Sequence, residues 1–538
     1  MSALRTNTYV HYLNSERLMN IFLSAGILLR LFLYFQNNSL WLDEQYLSNS
    51  IVSYSLKELL TVPLLYYQKA PLGFLMMQKL FVTVFSPSEM SLRLFPLLCN
   101  IASLFLFITI CRYFLKENMI WLAVAIFSLA PPLIFHAVEA KQYSSELLSS
   151  VIAMCLYIRL QIKGANRSDL VKMAVAGTIL IWFSYSVIFI LVAISLVVSF
   201  KILKKRGLKG YMYYFIVFFI WMTSFVINYY FSTYKHAESK WTIYWFDYYR
   251  HFAPLPPKNM DELTWYALRF YRLLNNPLGL WWNFMAPVET AFSPVLKLTF
   301  IPVILFFTGI IGFLRRKADI VLLSGAILLT LFISGLKLYP LTDRFWVFLA
   351  PVFIIVIVRG CGYVNDKLLP KKMHFILPLL LVTGPVTNAI AAFSGPEFII
   401  DKTSSQRQAL QYINGHYKEG DGVYIYWNAK SGYQIYNQLY HWKFKAMEGT
   451  DYRKQADSFN NYMNLLKKEI YTAGKERVWV VLNYTFQSDI GEPIDWPKWY
   501  FNQTNKPSNN VIAFLGKDWK IVDEYKYLDV HVYCFQLN

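Results

Sequence analysis

Long apolar runs dominate this chain and leave few ways for it to fold. About eleven of them reach the length of roughly 17–25 residues that a helix needs to cross a bilayer. They cover approximately residues 16–36, 91–114, 119–136, 144–162, 170–184, 186–202, 211–231, 293–314, 319–337, 343–359 and 374–394. The fifth and sixth are short and adjacent, so they form either two spans or a re-entrant pair. The pattern predicts an α-helical polytopic membrane protein.

Composition and charge also favour a membrane protein over a nucleic-acid-binding one. Of the 538 residues, 56% are hydrophobic and only 16% are charged. The net charge of +19 comes largely from short loops between apolar runs, such as Lys204-Lys205-Arg206 and Arg315-Arg316-Lys317. Basic loops of this kind face the cytoplasm. We therefore predict a cytoplasmic N-terminus, as in a bacterial inner-membrane protein, and an outward-facing C-terminal region after an odd number of spans.

The predicted outward-facing segments differ in kind from the basic loops. Loops 37–90 and 232–292 are long, and the second is rich in Trp and Tyr. Such a composition suits a membrane interface or a carbohydrate-contacting surface. After the last apolar run the sequence becomes polar and contains short strand-like runs. We predict a membrane domain over residues 1–394 and a small soluble α/β domain over residues 395–538 on the outer side.

Acidic and basic residues recur in the predicted outer segments. Asp43 and Glu44 lie where the chain leaves the first apolar run, and Lys69, Lys141 and Arg344 lie in three other segments. Cations are less expected on this side of the membrane than on the cytoplasmic side. An acid that accepts a proton, opposite cations that hold a phosphate, is suited to displacing a phosphate leaving group.

Simpler structural roles are open to the same residues. Asp43 can begin a surface helix as its cap. Lys141 can pair with Glu139, and Arg344 can pair with Asp343 or with a lipid headgroup. The residues taken one at a time leave both interpretations open.

Several outer-side motifs occur in an order that is known from one group of enzymes. They are Leu40-Trp41-Leu42-Asp43-Glu44, Gln68-Lys69-Ala70-Pro71-Leu72, Ser88-Glu89-Met90-Ser91-Leu92-Arg93-Leu94-Phe95-Pro96, Glu139-Ala140-Lys141-Gln142-Tyr143-Ser144 and Tyr339-Pro340-Leu341-Thr342-Asp343-Arg344. This order resembles that of GT-C fold glycosyltransferases, in particular the protein O-mannosyltransferases and the aminoarabinose transferase that acts on lipid A. The resemblance, of the kind seen in glycosyltransferase family 39, covers roughly residues 15–395.

The resemblance implies a cavity open to the outer face and a lipid-linked sugar donor. It makes Asp43 the catalytic base and Lys69 the phosphate-holding lysine that precedes a proline. The lipid A transferase has Glu-Lys-Pro-Pro at this point, whereas this chain has Gln68-Lys69-Ala70-Pro71. The missing carboxylate weakens the inference that this chain shares that enzyme's substrate or metal site.

The sequence thus predicts an inverting glycosyltransferase that moves a hexose or pentose from a polyprenyl-phosphate donor to an acceptor hydroxyl on the outer face. The expected roles are catalysis by Asp43 and Glu44, donor phosphate binding by Lys69, Lys141 and Arg344, and substrate contacts by Tyr46, Glu139 and Tyr143. No cofactor is required, and a divalent cation is allowed. The acceptor is a lipid, a glycan or a protein. The alternatives are a transporter or flippase of lipid-linked sugars, and a ligase or oligosaccharyltransferase that uses a lipid-linked oligosaccharide.

Overall fold

The structure confirms a helical membrane protein. It is a computed structural model that describes residues 2–163, 166–232, 246–394, 403–473, 476–486, 498–501 and 507–537. Within these ranges, eight helices are long and apolar enough to cross a membrane: Ser15–Gln36, Glu89–Phe114, Tyr143–Ile162, Val187–Lys204, Tyr211–Ser232, Lys317–Gly335, Asp343–Leu368 and Lys371–Ser394. A bent pair, Glu117–Leu129 and Pro131–Ala137, makes nine if it is counted as one span. The chain is therefore an integral, multi-pass membrane protein.

The other two predicted runs contain shorter helices. The run 170–184 overlaps the 17-residue helix Arg167–Phe183, and the run 293–314 contains the 14-residue helix Phe300–Phe313. Both helices are below the roughly 20 residues of a straight span. Numbered in chain order, the described helices are α1 (Ser2–Gln36), α2 (Leu42–Ser53), α3 (Leu56–Thr61), α4 (Leu72–Phe85), α5 (Glu89–Phe114), α6 (Glu117–Leu129), α7 (Pro131–Ala137), α8 (Tyr143–Lys163), α9 (Arg167–Phe183), α10 (Val187–Ser232), α11 (Met260–Asn275), α12 (Ser293–Leu296), α13 (Phe300–Phe313), α14 (Lys317–Gly335), α15 (Ala350–Leu368), α16 (Ile376–Ser394), α17 (Gln406–His416), α18 (Lys430–Leu439), α19 (Phe459–Ala473), α20 (Lys498–Phe501) and α21 (Pro507–Leu515).

Helix α10 contains two of the predicted spans. In a straight helix the Cα atoms of Ser199 and Tyr211 would lie about 18 Å apart. Their hydroxyl groups are 3.2 Å apart, so α10 must bend sharply between its two halves. The second half also packs on α9, where the Asn228 amide donates to the carbonyl of Ile181 at 2.8 Å. The two apolar halves, Val187–Lys204 and Tyr211–Ser232, are therefore separate candidate spans.

A buried arginine joins the first helices of the bundle. Arg30 of α1 donates to the side chain of Asn100 in α5 at 2.7 Å and to the carbonyl of Ser128 in α6 at 2.7 Å. The Asn100 amide in turn donates to the Ser144 hydroxyl at the start of α8, at 3.0 Å. Charged groups within the bilayer are costly unless they are paired in this way. The network fixes the relative positions of α1, α5, α6 and α8.

Two glycines let α13 and α15 approach closely. A methyl group on Gly309 would collide with the carbonyl of Val356, and one on Gly360 would collide with the carbonyl of Leu305. Small residues at a crossing point are typical of helix packing in membranes. This contact supports α15, which directly follows the segment that contains Arg344.

The C-terminal region contains a mixed sheet of five strands within the described residues. The strands are β1 (Gly422–Ile425), β2 (Met447–Glu448), β3 (Arg477–Asn483), β4 (Lys520–Tyr527) and β5 (Val530–Gln536). Their order is β2-β1-β3-β5-β4; β2, β1 and β3 are parallel, and β5 and β4 are antiparallel to their neighbours. Alternate residues of β3 face two separate apolar clusters, with Trp479 in one and Val480 in the other, as expected for a strand buried on both faces.

One face of this sheet shares its core with the membrane region. The cluster that contains Trp479 also contains Leu410 of α17 and Tyr436 of α18, together with Leu47 and Ile51 of α2. Helix α2 is thus packed between one end of the bundle and the C-terminal region. The predicted domain boundary at 394/395 adjoins residues 395–402, which lie outside the described ranges, so that boundary stays a prediction.

Candidate active site

The site is built around the first turn of α2. This helix begins at Leu42 after Trp41, so Asp43 lies within the first turn and is not the cap that one interpretation of the sequence allowed. Carboxylates are favourable there because they face the positive end of the helix dipole. Asp43 is partly exposed, whereas Glu44 is buried. The two adjacent acids therefore face different surroundings.

Glu44 is held by a buried arginine. The Arg93 guanidinium of α5 donates to both carboxylate oxygens, from Nε at 2.9 Å and from Nη2 at 2.6 Å. The backbone N–H groups of Ala140 and Trp41 donate to the same carboxylate at 2.7 and 3.2 Å. Glu44 thus fixes α2 against α5 and against the segment before α8. With these contacts Glu44 is better placed to orient Asp43 than to contact a substrate. The catalytic role of Glu44 stays a prediction.

Asp43 forms an ion pair with Arg344, which lies 301 positions away in the sequence. Arg344 belongs to the 3₁₀ segment Asp343–Leu349 before α15, and its guanidinium carbon lies 5.9 Å from the ring centroid of Tyr143. Its partner is not the adjacent Asp343, whose side chain is exposed. The pair remains accessible, with 30% of the Arg344 side chain and 19% of the Asp43 side chain exposed. Asp43 and Arg344 therefore meet at a surface that a ligand can reach.

Lys141 lies beside this pair. Its side chain is buried, and its ammonium donates to Oε1 of Gln68 at 2.5 Å instead of pairing with Glu139. Burial lowers the pKa of Lys141, although the nearby Asp43 carboxylate opposes this shift. A neutral amide positions the ammonium without cancelling its charge. Lys141 therefore contributes positive charge to the site.

Lys69 follows Gln68 and is half-buried. In the described part of the chain its ammonium makes no hydrogen bond or ion pair. Burial lowers the pKa of Lys69 as well.

The backbone just before Gln68 is strained. Tyr66 and Tyr67 have φ values of 56° and 54°, in the left-handed region that is sterically unfavourable for residues other than glycine. Strained backbone of this kind is often found where function requires a fixed geometry.

The three predicted substrate-contacting residues are all buried. Tyr46 stacks on Tyr66 with ring centroids 4.5 Å apart, and Tyr143 packs 4.9 Å from the ring of His136. Glu139 pairs with Nδ1 of His136 at 2.6 Å. These contacts show which partner holds each of the three side chains in place. Direct contact of Tyr46, Glu139 or Tyr143 with a substrate stays a prediction.

Four residues of the site were not assigned a role from the sequence: Gln68, Arg93, His136 and His251. The first two belong to the quoted motifs, and His136 is three positions before Glu139, a spacing that brings side chains together on a helix. His251 gave no sequence signal. Its pKa falls to about 4 because of burial and because Arg269, Arg272 and Arg344 lie nearby. The proximity of His251 to Arg344 indicates that part of the loop 232–292 lies close to the site.

An apolar groove lies behind Glu44. It is lined by Leu33, Asn38, Ser39, Glu44, Arg93, Pro131, Ile134, Phe135, Val138, Ala392, Phe393 and Thr403. Asp43, Lys69, Lys141 and Arg344 do not line it. The groove and the cation-rich site are therefore separate features at the same end of the bundle.

Comparison with solved structures identifies the architecture. The chain is similar to ArnT from Cupriavidus metallidurans bound to undecaprenyl phosphate, with a TM-score of 0.52 and 11% identity over 96% of this chain and 97% of that one. It is also similar to the oligosaccharyltransferase of Archaeoglobus fulgidus in complex with Zn and sulfate, with a TM-score of 0.50 and 14% identity over 95% of this chain and 72% of that one. The chain has the GT-C fold. No protein-family model matches the chain, and no curated protein matches it by sequence.

At these identities the similarity shows a shared fold. The two comparisons agree with the resemblance that the motifs indicated. One similar structure contains zinc, a metal that proteins bind through His, Cys, Asp and Glu side chains. No group of three or more His, Cys, Asp or Glu side chains in the described ranges could hold one, and Asp43 and Glu44 contact arginines. The described residues thus contain no metal-ligand cluster, and the divalent cation that the sequence allows stays a prediction.

Proposed function

We propose that this chain is an inverting glycosyltransferase that transfers a sugar from a polyprenyl-phosphate donor to an acceptor hydroxyl on the outer face of the membrane. The observation that carries the proposal is the meeting of Asp43 with Arg344, beside Lys141. These residues come from three distant segments at one end of a membrane bundle. The cytoplasmic N-terminus and the outward-facing C-terminal region belong to the same proposal.

The charge of the site suits a phosphate leaving group. Lys141 and Arg344 supply two positive charges beside the one negative charge of Asp43, and we propose Lys69, which directly follows Gln68, as the third cation. A sugar linked to polyprenyl phosphate is a phosphodiester with one negative charge, whereas the released phosphate monoester carries roughly −1.5 to −2 at neutral pH. Negative charge therefore develops on the phosphate as the glycosidic bond breaks. Cations held in place stabilise that developing charge more than the bound donor, which lowers the barrier.

In the proposed reaction Asp43 is the general base. The donor phosphate competes for the guanidinium of Arg344 and releases the Asp43 carboxylate from its ion pair. Asp43 then accepts the proton of the acceptor hydroxyl while the acceptor oxygen bonds to the anomeric carbon. The bond from that carbon to the phosphate oxygen breaks on the opposite face, its electrons remain on the phosphate, and the configuration inverts. Asp43 afterwards returns its proton to solvent.

The test is a transfer assay with the full chain purified in detergent. A radiolabelled polyprenyl-monophosphate sugar is supplied with candidate lipid, glycan and protein acceptors. We expect polyprenyl phosphate to be released in equal amount to the sugar transferred. Movement of intact donor across vesicles without cleavage would favour a flippase, and transfer only from a lipid-linked oligosaccharide would favour a ligase.

Replacing Lys69 by Ala should weaken use of the donor. A charge-assisted hydrogen bond contributes about 1.5–3 kcal/mol, so kcat/KM for the donor should fall roughly 10- to 100-fold. Lys57→Ala is a matched control, because Lys57 is an exposed lysine of the same loop and should have no effect. A change confined to acceptor kinetics in Lys69→Ala would contradict the phosphate role.

Donor use should also fall on the alkaline side of neutral pH. Burial lowers the pKa values of both Lys69 and Lys141, so each ammonium loses its proton at a lower pH than an ordinary lysine, which titrates near about 10.4. The pH profile of donor kcat/KM reports groups of the free enzyme and should show this descending limb. In Lys69→Arg the charge at position 69 persists, so any part of the limb due to Lys69 should disappear. A flat profile up to the pKa of an ordinary lysine would contradict the assignment.

A further inference from the structure

A series of hydrogen bonds connects the C-terminal sheet to the cations of the site. Glu448 at the end of β2 accepts from Nε2 of Gln434 at 2.7 Å. Oε1 of Gln434 accepts from the hydroxyl of Tyr66. The carbonyl of Tyr66 accepts from Nε2 of Gln68 at 3.3 Å, and Oε1 of Gln68 accepts from the ammonium of Lys141 at 2.5 Å. The series therefore runs from the sheet, through the strained loop, to a lysine beside Asp43.

The polarity of each link is fixed by its neighbour. A carboxylate only accepts hydrogen bonds, so Glu448 must receive the amide N–H of Gln434, and the amide oxygen of Gln434 is left to face Tyr66. Likewise, an ammonium only donates, so Lys141 must face the amide oxygen of Gln68. Both glutamines are thus held in a single orientation. An ordered series of this kind can transmit position, whereas a freely rotating amide cannot.

Gln434 also supports an unfavourable backbone conformation. Tyr66 has a positive φ of 56°, which persists in residues other than glycine when the surroundings hold it. Its ring is stacked on Tyr46 of α2, with an angle of 11° between the ring planes, and its hydroxyl is held by Gln434 of α18. These two contacts fix both ends of the Tyr66 side chain, three residues before Lys69.

We propose that Gln434 is a positioning residue for the donor phosphate, through which the C-terminal region sets donor affinity. The proposal rests on the proposed function, because it assumes that Lys69 and Lys141 bind that phosphate. Gln434 itself touches no reacting atom. Its removal should let the Tyr66 loop relax and misplace the two lysines, while Asp43, which is held through α2 and Glu44, stays in place.

The experiment compares two glutamines on the same helix. In Gln434→Leu we expect the donor KM to rise about three- to tenfold, the size of one lost hydrogen bond, with kcat, acceptor KM and Tm close to wild type. Tyr66→Phe should give the same change, and the double variant should be no worse than either single one. Gln438→Leu is the control, because Gln438 lies one turn further along α18 and contacts Asn49 of α2 at 3.4 Å instead of the loop.

Exchange of the two partners should rescue the loss. The double variant Gln434→Glu with Glu448→Gln keeps an acceptor for Tyr66 and a donor between the two side chains, so its donor KM should return toward wild type. If the wild type transfers sugar and Gln434→Leu has an unchanged donor KM, the positioning role is wrong and the proposed function stands. If the wild type releases no polyprenyl phosphate from any donor, the proposed function itself fails. Equal losses in Gln434→Leu and Gln438→Leu would indicate general weakening of the interface and would also overturn the proposal.

Discussion

Replacing Asp43 by Asn should lower kcat by roughly 10²–10⁴-fold, the usual contribution of a positioned general base. Asparagine keeps the size and the hydrogen-bonding oxygen of the side chain, so a contact with Arg344 can persist. It cannot accept the proton of the acceptor hydroxyl. Because Arg344 remains available for the phosphate, the donor should still bind. The expected result is therefore a loss in kcat that is much larger than any change in donor KM.

The matched control for this variant is Asp343→Asn. Asp343 is adjacent to Arg344 in the sequence but is exposed, and Arg344 pairs with Asp43. Steady-state transfer rates for the two variants, with size-exclusion profiles to verify folding, separate the role of the base from a general effect of charge. A kcat near wild type in a folded Asp43→Asn protein would remove Asp43 from the mechanism.

Replacing Arg93 by Met should destabilise the protein by about 3–5 kcal/mol, the usual cost of leaving one member of a buried ion pair without its partner. The Glu44 carboxylate would remain buried with only the backbone N–H groups of Trp41 and Ala140 to stabilise it. The expected observation is a clear fall in the apparent Tm of the purified protein. Adding Glu44→Gln should recover part of the loss, because the buried group is then neutral.

Arg159→Met provides the comparison for this effect. Arg159 pairs with Asp169 at 2.6 Å, but 51% of its side chain is exposed. Exposed ion pairs contribute about 0–1 kcal/mol, so the Tm of this variant should change little. Similar losses of Tm in Arg93→Met and Arg159→Met would show that the Glu44–Arg93 pair is not a structural anchor of the site.

Much of the fold follows from local sequence patterns. Apolar runs of spanning length predicted the helices, because in a bilayer the backbone must satisfy its own hydrogen bonds. The path of α10 was also predictable, since the basic residues between its two apolar halves favour a cytoplasmic loop. The lengths of α9 and α13 were less predictable from the sequence, because helix ends depend on capping and on packing against neighbouring helices.

The candidate site was only partly predictable. The motifs brought attention to Asp43, Lys69, Lys141 and Arg344, and the structure places Asp43 against Arg344 with Lys141 close by. The sequence around Arg344 did not indicate which acid this arginine contacts. Arg344 contacts Asp43 across 301 positions, whereas the sequence offered the adjacent Asp343 as the simpler partner.

The contribution of the C-terminal region could not be inferred from its sequence. Several of its strands were visible as patterns, but the helix Pro507–Leu515 contains residues 511–514, which the sequence pattern predicts as a strand. Nothing in the patterns indicated that Gln434 would contact Tyr66 across 368 positions. Such contacts depend on how two separately patterned regions pack. Here they pack through the apolar face of α2, where Leu47 and Ile51 share a core with Tyr436.

The most direct measurement of the central claim is a structure of the full chain with polyprenyl phosphate bound. We expect the phosphate oxygens within hydrogen-bonding distance of Lys69, Lys141 and Arg344, with the Asp43 carboxylate released from Arg344 and facing the space for the acceptor. A phosphate bound elsewhere, for example in the apolar groove beside Glu44, with the Asp43–Arg344 pair intact, would contradict the account.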